Sequence, residues 1–135
     1  MYKRHVIDSS TASECLESTG ASGLMIGRGA IGRPTIFYEI KRDLGWITGP
    51  PPWGQGGDAI ARQWCWNRYL ELCEDVYGDS RNKNLKRHAV SFTKGLPGAS
   101  AMRVDLHGEG DQRKLGRMVS EYLEGLASLN EATAA

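Results

Sequence analysis

The sequence predicts a mainly α-helical protein in which a short α/β segment is followed by a small helical bundle. Three observations predict it. The apolar triplet Leu24-Met25-Ile26 runs into a glycine-rich turn and then Pro34, a residue suited to the first turn of a helix. The stretch Gly49–Gly57 holds three prolines and four glycines, which remove backbone donors and add chain entropy, so regular structure breaks there. Beyond that break, apolar residues recur at helical spacing in three separate runs.

In chain order, Thr11-Ala-Ser-Glu14 fits a capping box that opens a short helix ending at Gly20. A buried strand at Leu24–Ile26 follows, completing one αβ step. Pro34 to Leu44 is predicted as a helix with Ile36, Phe37, Ile40 and Leu44 on one stripe, stopped by Gly45. Residues 49–57 are predicted to link two units, 1–48 and 58–130. In the second unit Ala61, Cys65, Tyr69, Leu72 and Val76 share one helical face, closed by Gly78. Leu85, Ala89, Phe92 and Leu96 form a second stripe, and a third helix capped by Asp111 carries Leu115, Val119, Tyr122 and Leu126. Three amphipathic helices on short turns predict a small bundle, with no internal repeat and a fraying tail from Asn130 to Ala135.

Composition excludes several classes. Of 135 residues, 40% are hydrophobic and 24% charged, which suits an ordinary soluble chain, and no apolar run approaches the ~20 residues that cross a bilayer. The start Met-Tyr-Lys-Arg-His-Val lacks the apolar core of a secretory signal, and three cysteines without paired spacing suit a reducing compartment, so a cytoplasmic location is expected. Cys65 and Cys73 stand eight apart with His88 and His107 scattered, so no zinc spacing arises; buried thiols are expected and no metal ligand is assigned.

The glycine-rich turn can also be read chemically. Gly27, Gly29 and Gly32 permit positive φ and close approach, so successive N–H groups can converge on an anion beside Arg28, at the start of the Pro34 helix. A purely structural turn fits the same glycine spacing equally well.

A net charge of +1 conceals a basic segment. Residues 80–104 contain Arg81, Lys83, Lys86, Arg87, Lys94 and Arg103 and no Asp or Glu. On a continuous helix Lys83, Arg87 and Lys94 would lie close together, opposite the Leu85–Leu96 stripe, as a phosphate-binding surface rather than a solvated face laced with i,i+4 pairs. His88, next to an apolar stripe, is read first as a hydrogen-bonded packing residue. Of Trp64 and Trp66 at least one must leave the Cys65 face and cover another surface, the proline-rich linker or the barrel being favoured over base stacking. Asp105, Glu109 and Asp111 are scattered acids with no assigned chemistry.

Ala21-Ser-Gly-Leu-Met-Ile-Gly-Arg-Gly-Ala-Ile-Gly-Arg-Pro-Thr-Ile-Phe37 closely resembles the last strand and last βα loop of the tRNA-dihydrouridine synthases, flavin enzymes on a (β/α)₈ TIM barrel. Lys86-Arg-His-Ala-Val-Ser-Phe-Thr-Lys-Gly-Leu-Pro-Gly-Ala-Ser-Ala-Met-Arg103 resembles the same family's helical C-terminal signature, and the two matches span most of residues 7 to 104 in the right order. The resemblance implies that 1–48 is the remnant of the last βα units of an FMN-binding barrel and 58–130 a helical tRNA-binding domain. It implies FMN as cofactor, NADPH as reductant, tRNA as partner, and reduction of uridine to dihydrouridine. Gly27, Arg28 and Gly29 match the flavin phosphate loop; Arg87, His88, Lys94 and Arg103 join Lys83 as tRNA-binding residues. No residue is assigned as catalytic.

Two departures qualify the resemblance. A complete barrel takes ~250 residues, so the chain reads as a C-terminal part, inactive by itself, with the missing half supplied by a neighbouring reading frame. Neither Cys15, Cys65 nor Cys73 lies in the family's Asn-x-Gly-Cys-Pro context for the cysteine acid, and Ser91-Phe92 replaces its Trp-Tyr. The alternative is a non-catalytic RNA-binding module that kept the helical domain and lost the barrel. A third reading, a piece of another FMN barrel, is disfavoured by Lys94-Gly-Leu-Pro-Gly98 in its acid-free setting.

Overall fold

The computed structural model describes residues 5–134. Among them run α1 (Ser9–Thr19), a 3₁₀ turn (Arg28–Ala30), α2 (Ile36–Asp43), α3 (Asp58–Tyr77), α4 (Leu85–Thr93), α5 (Ala99–Gly108) and α6 (Gln112–Ala134). The protein is mainly helical, as the sequence predicts.

The capping box of α1 sits one turn earlier than the sequence predicts. Asp8 is the N-cap: its carboxylate accepts from the Thr11 N–H at 2.8 Å, and the Thr11 hydroxyl accepts from the Asp8 N–H at 3.1 Å. A shorter side chain at the third helical position therefore does what Glu14 was expected to do. The helix ends at Gly20 as predicted.

The strand predicted at Leu24–Ile26 is not formed, and no strand occurs among the described residues. The segment still alternates, with Leu24 and Ile26 packed on Val6, Ala12, Ile36 and Ile40 while Met25 is 86% exposed. A strand is defined by its partner's hydrogen bonds, and no described segment lies alongside to supply them. The helix predicted from Pro34 begins at Ile36, with Pro34 and Thr35 in the preceding turn. Ile36 and Ile40 are buried and Leu44 packs on them, but Phe37 is half-exposed.

The larger core lies in the second part, where α3 and α6 pack together and α4 packs against both α6 and α5. Its centre is Trp66, fully buried with Phe92, Leu106, Val119 and Leu123, its indole N–H donating to the Gly116 carbonyl at 3.2 Å. A buried indole needs such a partner, because an unpaired N–H there costs about 1–3 kcal/mol. The predicted α3 face holds for Ala61, Cys65 and Tyr69 but not for Leu72 and Val76, which are exposed. Trp66 takes over because α6 crosses α3 on its side.

Four helices, not three, fill this part. Gly95-Leu-Pro-Gly98 turns the chain after Thr93, so Leu96 packs from a turn and a separate α5 buries Leu106. Asp111 caps α6 as predicted, accepting from the Lys114 N–H at 3.0 Å. Leu115 and Val119 are buried, joined by Leu123 and Ala127. The tail expected to fray from Asn130 continues α6 as far as Ala134.

Residues 49–57 carry no helix or strand, yet they are tied down on both sides. The Tyr38 hydroxyl donates to the Gly49 carbonyl at 2.6 Å, and the Trp53 ring stands 5.3 Å from Tyr38 and 6.1 Å from Trp64. Trp64 thus covers the proline-rich segment, one of the two surfaces the sequence favours, while Trp66 turns inward.

Candidate functional site

The glycine turn divides its labour. The N–H groups of Gly27, Arg28 and Gly29 donate to no described residue, whereas those of Ala30 and Ile31 close the 3₁₀ turn onto Gly27 and Arg28. Open space surrounds Gly27, and with Arg28, His5 and Leu24 it lines a cleft of about 450 Å³. The Arg28 guanidinium lies 3.0 Å from His5 Nε2. Gly29 faces the other way: a Cβ there would meet the Val6 carbonyl oxygen at 2.5 Å. Gly32, at φ +77°, is likewise pressed onto Ser91 of α4. Gly29 and Gly32 are therefore used at least partly for packing, and Gly27–Gly29 with Arg28 present the unused N–H donors and cation that an anion requires.

The basic segment departs from the single stripe expected. Lys83 precedes α4 and Lys94 follows its last turn, so Arg87 alone of the three is inside the helix. The uninterrupted helix from 83 to 94 does not exist because turns bound α4 at both ends. Arg103 lies on α5, which packs against α4. Lys83, Arg87, Lys94 and Arg103 are all exposed, and none has an acidic partner within 4 Å among the described residues. Lys86 instead donates to the His107 carbonyl at 3.1 Å. The C-terminal end of α4 is held by Arg62, which donates to the carbonyls of Phe92 at 3.1 Å and Lys94 at 2.8 Å and pairs with Asp58 at 2.8 Å. That clamp fixes the backbone from which Lys94 projects.

His88 is placed by a polar chain. The Asn84 N–H donates to Asn82 Oδ1 at 3.0 Å, and Asn82 Nδ2 donates to the Tyr69 hydroxyl at 3.1 Å and towards Cys73 Sγ at 3.3 Å. Tyr69 in turn meets His88 Nδ1 at 2.9 Å. Burial pushes the Tyr69 phenol up to about 12, so it keeps its proton. The packing role read for His88 is thus accompanied by a specific hydrogen bond. His88, Tyr69, Trp53, Trp64 and Phe92 line a cavity of about 430 Å³ closed on one side by the Ala30–Pro34 loop. Sequence reading missed Tyr69, Asn82 and Arg68 around it. The pair of small amides Asn82 and Asn84 within the acid-free run was the available sign.

The cysteines are free thiols. Cys65 is buried and burial pushes it up to about 11, far from a thiolate at neutral pH; Cys15 and Cys73 are half-buried. Among the described residues no group of three or more His, Cys, Asp and Glu side chains is placed to hold a metal ion, and no helix is long and apolar enough to cross a membrane.

The profile of the dihydrouridine synthase (Dus) family matches residues 5–126. The chain is 29% identical over 104 residues to a probable tRNA-dihydrouridine synthase of Mycobacterium tuberculosis strain H37Rv, covering 73% of this chain and 24% of that protein. It is 28% identical over 122 residues to a probable tRNA-dihydrouridine synthase of Rickettsia conorii, covering 89% and 35%. With tRNA-dihydrouridine synthase B of Escherichia coli K12 it shares 35% identity over 89 residues, 64% of this chain and 26% of that one. The chain therefore spans about a quarter to a third of the length of these relatives. No solved structure matches it.

Proposed function

Because the chain belongs to the dihydrouridine synthase family, we propose that it provides the tRNA-gripping helical part of a flavin-dependent tRNA-dihydrouridine synthase, together with one side of the flavin phosphate loop. The observation that carries this reading is the set Lys83, Arg87, Lys94 and Arg103: four exposed cations without acidic partners, on the α4–α5 pair and its turns. Unpaired cations on a rigid frame are what phosphate contacts require, since each displaces a condensed counterion. His88 contributes from beside them, held by Tyr69.

Gly27, Arg28 and Gly29 would hold the phosphate of FMN, with their unused N–H groups and the guanidinium as donors. When bound, FMN reduced by NADPH supplies the hydride that converts uracil to dihydrouracil. This chain's own contribution is binding: Cys65 is buried, and neither Cys15, Cys65 nor Cys73 stands in the Asn-x-Gly-Cys-Pro context of the family's cysteine acid, so the isolated chain is inactive in dihydrouridine formation.

The test is tRNA binding by filter retention across a salt series for the parent, Arg87→Ala and Lys94→Ala. With three phosphates contacted, log affinity falls against log salt with a slope of about −2, and each variant binds more weakly with a shallower slope. Equal affinities and slopes in all three proteins would reduce the basic surface to a solvated face.

A further inference from the structure

The cavity of about 430 Å³ between the Ala30–Pro34 loop and the α3–α4 pair enters the reading above only through His88, and its chemistry is selective. Its size falls within the ~300–1,000 Å³ of ordinary small-ligand sites. Its walls are apolar and aromatic, with Trp64 41% exposed at the opening, and no Asp or Glu lines it. Cys65 on its wall stays a neutral thiol and adds no charge.

Its one directed polar group is His88. Asn82 is oriented by the Asn84 N–H, so its amide nitrogen donates to Tyr69, whose hydroxyl lies 2.9 Å from His88 Nδ1. Where the Tyr69 hydroxyl donates to Nδ1, the ring proton sits on Nε2. Nε2 has no partner among the described residues, so the ring offers the cavity a single N–H donor. Arg68 also lines the cavity, its side chain 54% exposed and paired with the exposed Glu71. Aromatic walls, one inward donor and one cation describe a flat ring that bears a carbonyl acceptor and is attached to an anion.

We propose that this cavity receives a nucleobase, its ring against Trp64, a ring carbonyl accepting from His88 Nε2–H and the attached phosphate beside Arg68. The RNA origin of that base rests on the tRNA reading above; the base site itself does not. Stacking on an aromatic platform tolerates any base and gives a lone nucleotide weak but saturable binding.

Uridine 5′-monophosphate is titrated into the full chain while tryptophan fluorescence is followed, with ribose 5-phosphate as the base-free control. The parent is expected to show saturable quenching with the nucleotide and none with the sugar phosphate. Loss of the donor in His88→Ala weakens binding by about 5- to 20-fold, Tyr69→Phe weakens it less, and Arg68→Gln, an exposed change that spares the core, weakens it by about 2- to 5-fold. An absent response up to about 10 mM nucleotide, an equal response to ribose 5-phosphate, or unaltered binding in both His88→Ala and Arg68→Gln overturns the proposal. So does a concentration-dependent dimer that Trp64→Leu abolishes, since the cavity then belongs to a second copy of the chain. Nucleotide binding without tRNA retention in the parent would defeat the tRNA reading alone, and the reverse would defeat the base site alone.

Discussion

A Cβ built on Gly32 would lie 2.4 Å from the carbonyl oxygen of Ser91, so the glycine turn and helix α4 meet backbone to backbone. This contact joins the small N-terminal core to the helical part and closes one wall of the cavity that holds His88. The φ of +77° at Gly32 is the left-handed region, which residues with a Cβ occupy only at a cost. Conformation and clearance therefore both demand glycine at this position.

Gly32→Ala is accordingly expected to destabilise the protein by about 2–4 kcal/mol, combining left-handed strain with overpacking onto Ser91. Gly27→Ala, at a negative φ with open space around it, should stay within about 0.5 kcal/mol. Urea unfolding of the two variants separates the structural glycine from the one available to a ligand. Equal stabilities would remove the claim that α4 and the turn are in backbone contact.

Trp66→Phe retains most of the buried ring but loses the indole hydrogen bond to the Gly116 carbonyl, which keeps the Ser120 hydroxyl as a donor, and leaves a void beside α6. A loss of about 2–3 kcal/mol is expected, rising to about 3–5 kcal/mol for Trp66→Ala. Trp64→Phe, on the half-exposed neighbour, should cost under about 1 kcal/mol. Thermal melts followed by circular dichroism check the contrast.

Arg62 is mostly buried and couples Asp58 at the start of α3 to the last carbonyls of α4. Arg62→Met keeps the side-chain stem and loses the fork, costing about 1–3 kcal/mol. Arg62→Lys should recover only part of this, because a single ammonium cannot reproduce the guanidinium's planar set of donors. Hydrogen exchange at the C-terminal end of α4 should accelerate in both variants, and more in Arg62→Met.

The N-cap of α6 gives a pH dependence of known sign. The hydrogen bond from the Lys114 N–H holds the Asp111 carboxyl below its ordinary 3.8. A group whose folded value is depressed contributes stability that is present above the ordinary value and lost as pH falls through the folded one. Helical signal from α6 should therefore hold down to about pH 3.8 and decline below it. Asp111→Asn, still a good cap but uncharged, should flatten that acid limb, while Asp111→Ala should lower stability at neutral pH. An unchanged acid limb in Asp111→Asn would show that the decline comes from other carboxylates such as Asp8, which is depressed in the same way by Thr11.

Local chemistry was the legible part. The stop at Gly20, the cap at Asp111, the break over Gly49–Gly57 and the close of α3 at Gly78 each depend on residues within one or two turns of each other, and each appears where the sequence places it. The family was legible for a related reason, since the glycine turn and the Lys86–Arg103 segment are contiguous strings. Among the misplaced readings, the strand required a partner from elsewhere in the chain. Leu24–Ile26 has the composition of a strand, but hydrogen bonds from a second segment make a strand, and none is alongside. Lys83 and Lys94 share a face with Arg87 only if one helix carries all three, and the turns at either end of α4 prevent it.

Sequence alone thus determined the helical character of the second part, its principal caps, the acid-free basic run and the family, because these follow from short-range periodicity and local strings. Tertiary structure decided that Trp66 faces inward and Trp64 outward, that Gly32 is spent on Ser91, and that Asn82, Tyr69 and His88 form one hydrogen-bonded chain at an aromatic cavity. Those outcomes depend on which faces of α3, α4 and α6 meet, and residues 6 to 19 positions apart along the chain, such as His88 and Asn82 or Tyr69, acquire a shared chemistry only once packing has excluded water from between them.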